Sequence, residues 1–487
     1  MSGVESAERA ETDVPLVVDL DGTLVLSDTL FESAWRLLLK SPLDAIVAFS
    51  SLRNGKGALK EAISGRLQLD VSLLPYDQRI VRRLLLERRK RRVVLCTGAH
   101  QRVAKAVAEH LGLFDEVLAS SHVVNVTGAA KAALLVSHLG ERGFDYVGND
   151  HTDLVVFRSA RNAWAVNPTR SMTGALHSVT NLVEHEPREH SRAGALLRAL
   201  RPHQWLKNIL VFIPLLTATG VDRLEGLRSS VLGFAAFSLV ASAVYLLNDL
   251  IDIDADRQHP RKRSRPIASG KLSIPSALLA AVGCLSFGVA IAISVSPLFV
   301  LVLGGYVAVT TAYMLRLKRV PILDSIVLAT LYTIRVVGGA AALAVFPSFW
   351  LLAFAMFFFM SLALGKRYAE MVEIARQAGG HTRIPGREYR ASDLPTLLAQ
   401  GNATGVAAVV VLALYVHGGL APGQYRSPEL LWGVCPLLLY WISKFWLNAQ
   451  REEINDDPVI WAATNRVSLG LVSLSLLLVI AARWMAI

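Results

Sequence analysis

Two rhythms of apolar and polar positions divide the chain near residue 190. From Pro15 to about Pro168, short apolar runs alternate with segments of helical period such as 101–111 and 130–141. The runs are Pro15-Leu-Val-Val-Asp19, Arg91-Arg-Val-Val-Leu-Cys-Thr97, Asp145-Tyr-Val-Gly148 and Ala163-Trp-Ala-Val-Asn-Pro168. This alternation predicts a parallel sheet covered by helices. Residues 171–195 hold no sustained pattern and suit a linker or a juxtamembrane helix. Beyond about residue 200 the chain becomes apolar in nine stretches: 205–220, 229–248, 273–295, 297–315, 322–345, 347–364, 397–417, 429–447 and 466–486. A helix needs about 20 such residues to cross a bilayer. Nine spans are therefore expected, the first short and containing Pro214.

Composition supports a membrane protein. Of 487 residues 53% are hydrophobic, while 34 Gly and 3 Cys exclude collagen-like and disulfide-scaffold classes. Cys96, Cys284 and Cys435 are scattered and read as small apolar residues. The polar, acidic residues 1–12 offer neither the basic nor the apolar part of a signal peptide, so a cytoplasmic start is expected. The excess of 50 Lys+Arg over 39 Asp+Glu falls in alternate loops, in Arg257 to Lys271, Arg316 to Arg319, Lys366 to Arg390, and Arg451. By the positive-inside rule these share the cytoplasmic side with the N-terminal domain, and nine spans put the C-terminus outside. The basic excess thus needs no nucleic acid partner.

Asp19-Leu-Asp21-Gly22-Thr23 places two carboxylates at the carboxyl end of a predicted strand, where open α/β sheets bind ligands. One carboxylate can attack phosphorus while the other protonates the leaving oxygen and later activates water. Thr97 ends a second strand and can hydrogen-bond a phosphoryl oxygen; Lys131 opens a helix and can neutralise charge on the transferring group. Gly148-Asn149-Asp150-His151-Thr152-Asp153 offers oxygens to Mg²⁺. In this order the motifs resemble the haloacid dehalogenase (HAD) superfamily over about residues 13–170. The resemblance implies an α/β Rossmann-like fold with a helical cap at 24–92. It makes Asp19 nucleophile and metal ligand, Asp21 acid/base, Thr97 and Lys131 phosphate binders, and Asp150 and Asp153 metal-site acids. One departure is Asn149, where the family often carries an acid directly after the glycine.

A second constellation ends a predicted span: Asn248, Asp249, Asp252 and Asp256, with Asp254 on another face. Positions 249, 252 and 256 lie at i, i+3 and i+7, and 248, 252 and 256 at steps of four, so one helix face carries three carboxylates and an amide. Such acids at a membrane edge are costly unless used, and Mg²⁺ bridging them to a diphosphate resolves the repulsion. The run Arg261-Lys-Arg-Ser-Arg265 supplies base for phosphate oxygens. These motifs resemble the UbiA superfamily of intramembrane prenyltransferases over about residues 196–487, which implies an all-α bundle of nine transmembrane helices.

The details look like the bacterial decaprenyl-phosphate phosphoribosyltransferases: Arg201 to Asn208, Tyr313 to Lys318 followed by Pro321-Ile-Leu-Asp324, Arg335 inside a span, Gly365 to Glu370, and Asp456-Asp-Pro-Val459 with Arg466. This resemblance implies Mg²⁺ held by Asn248, Asp249, Asp252, Asp256 and Asp324 on phosphoribosyl pyrophosphate, with Asp249 and Asp252 catalytic. Lys207, Arg265, Tyr313, Lys318, Arg335, Lys366 and Arg367 would bind phosphates of the donor and of a polyprenyl phosphate acceptor. Position 328 is Leu where prenyltransferases usually carry a further acid, consistent with a different donor. The expected protein is a bifunctional enzyme of the bacterial plasma membrane, Mg²⁺-dependent in both domains. Prenyl transfer to an aromatic acceptor, or a non-catalytic receptor or transporter, are the competing readings.

Overall fold

The computed structural model describes residues 14–121, 125–168, 170–177, 181–186, 191–218, 220–377, 388–419, 425–454, 461–462 and 464–485. The expected N-terminal tail 1–12 and the Asp456-Asp-Pro-Val459 motif lie outside the described residues. The chain packs as two compact units: the described residues up to Leu200 with Tyr245–Ala281, and Arg201–Val244 with the residues from Val282 onward.

The first unit is built on six parallel strands in the order β3-β2-β1-β4-β5-β6. They are β1 (Leu16–Val18), β2 (Val93–His100), β3 (Glu116–Ser120), β4 (Asp145–Gly148), β5 (Asn162–Val166) and β6 (Asn181–Glu186). Because β1 is flanked by β2 and β4, connections leave it in opposite directions, and its carboxyl end is the switch point of the sheet. Apolar residues fill both faces: Val18, Leu95, Val103 and Val107 on one, Val17, Val94, Leu135 and Phe157 on the other.

Four helices lie between β1 and β2: α1 (Thr29–Lys40), α2 (Pro42–Ser50), α3 (Lys56–Arg66) and α4 (Gln78–Glu87). The α1 helix starts where the Asp28 carboxylate accepts from the amides of Leu30 and Phe31, capping donors that a helix leaves unpaired. The sheet is covered by α5 (Gln101–Leu111), α6 (Ala129–Leu139), α7 (Leu154–Ser159) and α8 (Arg170–His177); α9 (Arg192–Leu200) follows β6. The expected linker 171–195 therefore contains most of α8, the sixth strand and the start of α9. Strand β6 lies at the edge of the sheet and is held by pairing with β5, which an unpatterned stretch does not announce.

The remaining helices are α10 (Ile213–Thr217), α11 (Arg223–Ile251), α12 (Ile253–Gln258), α13 (Ile274–Val295), α14 (Pro297–Leu315), α15 (Leu323–Ala342), α16 (Phe349–Gln377), α17 (Leu394–Leu414), α18 (Val434–Gln450) and α19 (Arg466–Trp484). Among the described residues eight helices, not nine, are long and apolar enough to cross a membrane. The expected first span is instead a 3₁₀ segment, Pro202–Phe212, followed by the five-residue α10. Proline at the start of each piece and the polar pair Lys207-Asn208 disfavour one long apolar helix.

In the second unit α15 is the most enclosed of these helices, and small residues let neighbours approach it: Gly338 lies against the Phe237 ring. The end of α11, α12 and the start of α13 belong to the first unit. There Leu246, Leu250, Ile253, Ile267 and Ala277 form one apolar cluster with Trp35 of α1 and with Ala195 and Ala199 of α9.

Candidate functional site

The end of β1 carries Asp19 into the sheet's crevice. Its backbone amide donates to Val147 O at 3.0 Å, which ties the β1 and β4 ends together. Lys131 of α6 reaches the same point: its Nζ donates to Asp19 Oδ1 at 2.8 Å, Tyr146 Oη at 2.9 Å and Asp153 Oδ1 at 3.3 Å. Asp153 Oδ2 also accepts from the amides of Asn149 and Asp150, both at 3.2 Å. Asp153 thus shapes the loop and orients the lysine. Gly22 adopts φ +77°, and the Asn149 side chain lies where any Cβ at that position would stand, so the turn accepts only glycine. Thr97 is fully buried within β2, its Oγ1 accepting from Ala99 N at 3.0 Å.

Asp21 Oδ1 accepts from Thr29 N, the start of α1, at 2.7 Å. Burial raises the Asp21 carboxyl to about 7, helped by the charge of Asp28 and opposed by the Thr29 hydrogen bond. Burial also raises Asp19 to about 6, with Lys131 pulling the other way. Asp19 is thus the more acidic of the two, the order that a carboxylate pair needs if one member is to attack and the other to hold a proton.

Two members of this centre carried no signal along the sequence. Tyr146 sits inside a strand run, and its hydroxyl donates to Asp153 Oδ1 at 2.9 Å. Lys60 of α3 reaches over the strand ends to Gly98 O at 2.6 Å and Asn125 Oδ1 at 3.0 Å. Burial lowers its pKa, while Asp21 and Asp28 oppose that shift.

The metal-site expectation needs correction here. Asp150 is exposed and spends its carboxylate on its own turn, accepting from His151 N at 2.7 Å and Thr152 Oγ1 at 3.2 Å. Asn149, not Asp150, faces the loop that follows Asp19: its Oδ1 accepts from Thr23 Oγ1 at 3.3 Å. Asp153 is committed to Lys131, Tyr146 and two backbone amides. The oxygens beside the loop still suit a hard cation, with one negative charge fewer than a two-acid site.

The acidic motif at the end of α11 shows a partial match. A one-residue break at Asp252 separates α11 from α12, but the bonds Asp252 N to Asn248 O (2.9 Å) and Asp256 N to Asp252 O (2.8 Å) carry the helical ladder across it. Asp249 and Asp256, both buried, converge on one nitrogen of Arg265, at 3.0 and 2.7 Å. Asn248 and Asp252 are half-buried on the same segment. Among the described residues no three His, Cys, Asp or Glu side chains cluster as a metal site, so the expected trio is a pair bridged by a guanidinium. That cation shows that the pair accepts positive charge, and its carboxylate oxygens suit Mg²⁺.

The same segment is gripped by α1. Glu32, fully buried, receives Arg257 Nη2 at 2.7 Å and Nη1 at 3.1 Å. Arg36 donates to Asp254 at 3.1 Å through Nε and at 2.5 Å through Nη2, and Trp35 Nε1 donates to Leu250 O at 2.8 Å. Arg257 Nε also holds Ala268 O at 2.8 Å. One helix therefore contacts Asp21 at its first residue and the acidic motif one turn later.

In the second unit Arg335 is buried within α15. It donates through Nε to Asn208 Oδ1 at 2.8 Å and through Nη2 to Tyr306 Oη at 3.3 Å, with its guanidinium 4.8 Å over the Tyr306 ring. Lys207 Nζ lies 5.7 Å over the Tyr332 ring. Asp324 departs from its expected metal role: its carboxylate pairs with Arg367 and accepts from Tyr389 Oη at 2.5 Å. Arg367 also holds Glu370 at 2.6 Å and Tyr313 Oη at 2.8 Å. Burying this acid and this base without partners would cost several kcal/mol each, so each neutralises the other. Lys318 sits in the 3₁₀ turn Leu317–Arg319 and Lys366 within α16, both half-buried.

Comparison with known proteins matches the chain to two families. Residues 16–157 match the model of haloacid dehalogenase-like hydrolases, and residues 209–469 match the model of the UbiA prenyltransferase family. An uncharacterized protein, y4nM, of Sinorhizobium fredii is 34% identical over 93% of this chain and 88% of its own length. The decaprenyl-phosphate phosphoribosyltransferase of Corynebacterium glutamicum is 37% identical over 49% of this chain and 71% of its own. A solved UbiA homolog from Archaeoglobus fulgidus bound to GPP and Mg²⁺ aligns with TM-score 0.47 and 17% identity, over 58% of this chain and 99% of that one.

Proposed function

The chain belongs to the UbiA prenyltransferase family and carries a HAD-like domain ahead of the membrane helices, and from that premise we propose a bifunctional membrane enzyme. The membrane part transfers 5-phosphoribose from phosphoribosyl pyrophosphate to polyprenyl phosphate, and the HAD-like domain removes the 5-phosphate from the new lipid. The N-terminal domain and the basic loops face the cytoplasm of a bacterial cell in this reading.

The observation that carries the proposal is the Asp249/Asp256 pair closed on Arg265, in a chain 37% identical over 49% of its length to a decaprenyl-phosphate phosphoribosyltransferase. Mg²⁺, when bound, would supply charge stabilisation for the departing diphosphate, held by Asp249 and Asp256 with Asn248 and Asp252 beside them. Arg265, displaced from the carboxylates, would then turn its donors to diphosphate oxygens. A phosphate oxygen of the lipid attacks C1 of the ribose as the C1–O bond to diphosphate breaks. In the second reaction Asp19 attacks phosphorus, Lys131 neutralises the phosphoryl oxygens, and Asp21 gives its proton to the departing O5 and then takes one from water.

Purified chain supplied with polyprenyl phosphate, Mg²⁺ and phosphoribosyl pyrophosphate labelled in the ribose tests the first step. Label should appear in the lipid fraction. Lipid without label, together with prenylation of an aromatic acceptor from a prenyl diphosphate, would replace this reading by ordinary prenyl transfer.

A further inference from the structure

The α2 helix is built inside out for a helix in water. Its small residues Ala45 and Ala48 are fully buried against Leu37 and Ile63, while its large apolar residues point outward. Leu43 is 77% exposed, Ile46 64%, Val47 52% and Phe49 40%, and Leu52 in the following turn is 52% exposed. Five of the eleven large exposed apolar side chains described up to Leu200 fall in these ten positions. A helix apolar on every face is found in a protein core or in lipid, and a concentrated exposed patch marks an interaction surface.

The surroundings favour lipid. Exposed Lys40 precedes α2 and exposed Arg53 and Lys56 follow it, against one acid, Asp44, whose Oδ2 accepts from Ser41 Oγ at 2.6 Å. Leu, Ile and Phe on one side with Lys and Arg at the margin is the pattern of a helix lying in an anionic headgroup region. Many comparably exposed apolar residues elsewhere in the chain, such as Leu279 at 75%, Phe287 at 70% and Leu301 at 71%, lie on helices that are long and apolar enough to cross the bilayer.

We infer that α2 docks the cap of the phosphatase-like domain into the surface of an anionic bilayer. The docking stands on exposure and charge alone; its use, presenting a lipid-linked phosphate to Asp19 without full extraction into water, rests on the proposed function. Each large apolar side chain taken from water favours such docking, and the flanking cations add electrostatic attraction that salt screens.

The test uses the full chain in nanodiscs containing phosphatidylglycerol, with photoreactive benzoylphenylalanine placed at position 46, at 287 as a lipid-facing control, or at 109 on the exposed face of α5. Lipid adducts are expected at 46 and 287 and not at 109. An adduct at 287 alone overturns the inference, as does a cross-link from 46 to a second copy of the chain, which would assign the patch to self-association. Ile46→Asp with Val47→Asp should then slow removal of phosphate from the lipid substrate about tenfold while leaving hydrolysis of soluble p-nitrophenyl phosphate unchanged. Equal rates on both substrates in wild type and variant would overturn the delivery role. A wild type that cleaves the soluble ester and never the lipid would instead overturn the proposed function, leaving the docking to stand or fall on the cross-link.

Discussion

At the scale of single residues, the carboxylate pair sets a pH window. In the proposed reaction Asp19 attacks ionised and Asp21 gives its proton, so with Asp19 near 6 and Asp21 near 7, phosphatase activity should rise through about 6 and fall through about 7. A pH profile of kcat/KM on p-nitrophenyl phosphate checks this; a flat profile from 5 to 9 would contradict it. Replacing Asp21 by Asn should remove the alkaline limb together with most of the rate. In the proposed phosphatase reaction Asn149 stands where a second acid would strengthen metal binding. Asn149→Asp restores a negative oxygen facing the Asp19 loop and should lower the Mg²⁺ concentration for half-maximal activity by about tenfold, read by titrating the metal against rate. The placement of Asp19, Asp21, Thr97 and Lys131 around the end of β1 was legible in the sequence, because such residues are fixed to strand ends and helix starts. Lys60 and Tyr146 were not: a lysine among other basic residues and a tyrosine within a strand acquire partners only in the fold, Lys60 where α3 lies over the strand ends and Tyr146 where α6 and Asp153 meet β4. Spacing alone does not show which of the neighbours Asn149 and Asp150 turns toward the Asp19 loop.

At the scale of elements, α1 joins two pieces of chemistry that lie more than 200 residues apart in sequence. Removing one partner of a buried ion pair costs about 3–5 kcal/mol, so Glu32→Ala should destabilise the first unit by about that amount. Hydrogen exchange would show faster opening of residues 253–270 in this variant, and unchanged protection there would refute the grip of α1. Burial alone would raise the Glu32 carboxyl, but Arg257 and Arg36 outweigh it and hold it below its ordinary value. A carboxylate held low in the folded state contributes stability above its unfolded pKa and loses it as pH falls through the folded value. The first unit should therefore loosen below about pH 4.5, and Glu32→Gln should flatten that acid dependence. Gly270, at φ +75°, would place a Cβ 2.8 Å from Leu26 Cβ and 3.1 Å from Pro75 Cγ, so Gly270→Ala should cost at least about 1 kcal/mol in a denaturant melt. None of this grip was visible in the pattern of the chain. Arg257 read as one more cytoplasmic charge and Asp254 as a residue pointing elsewhere, because a partner on a distant helix leaves no periodic trace.

At the scale of the whole molecule, the change from short apolar runs to long ones announced an α/β domain followed by a helical membrane region. The physical reason is that burial on a sheet and burial in lipid demand different run lengths. The pattern did not announce that the acidic motif packs with the N-terminal domain, nor that the segment from Pro202 forms a 3₁₀ stretch in place of a span. The central claim is that two active sites in one chain act in sequence on one lipid. Its most direct test is the mass of the lipid made from polyprenyl phosphate, Mg²⁺ and phosphoribosyl pyrophosphate by the wild-type chain and by Asp19→Asn. The account predicts a pentose without its 5-phosphate from the wild type and a retained 5-phosphate from the variant; identical lipids from both would contradict it.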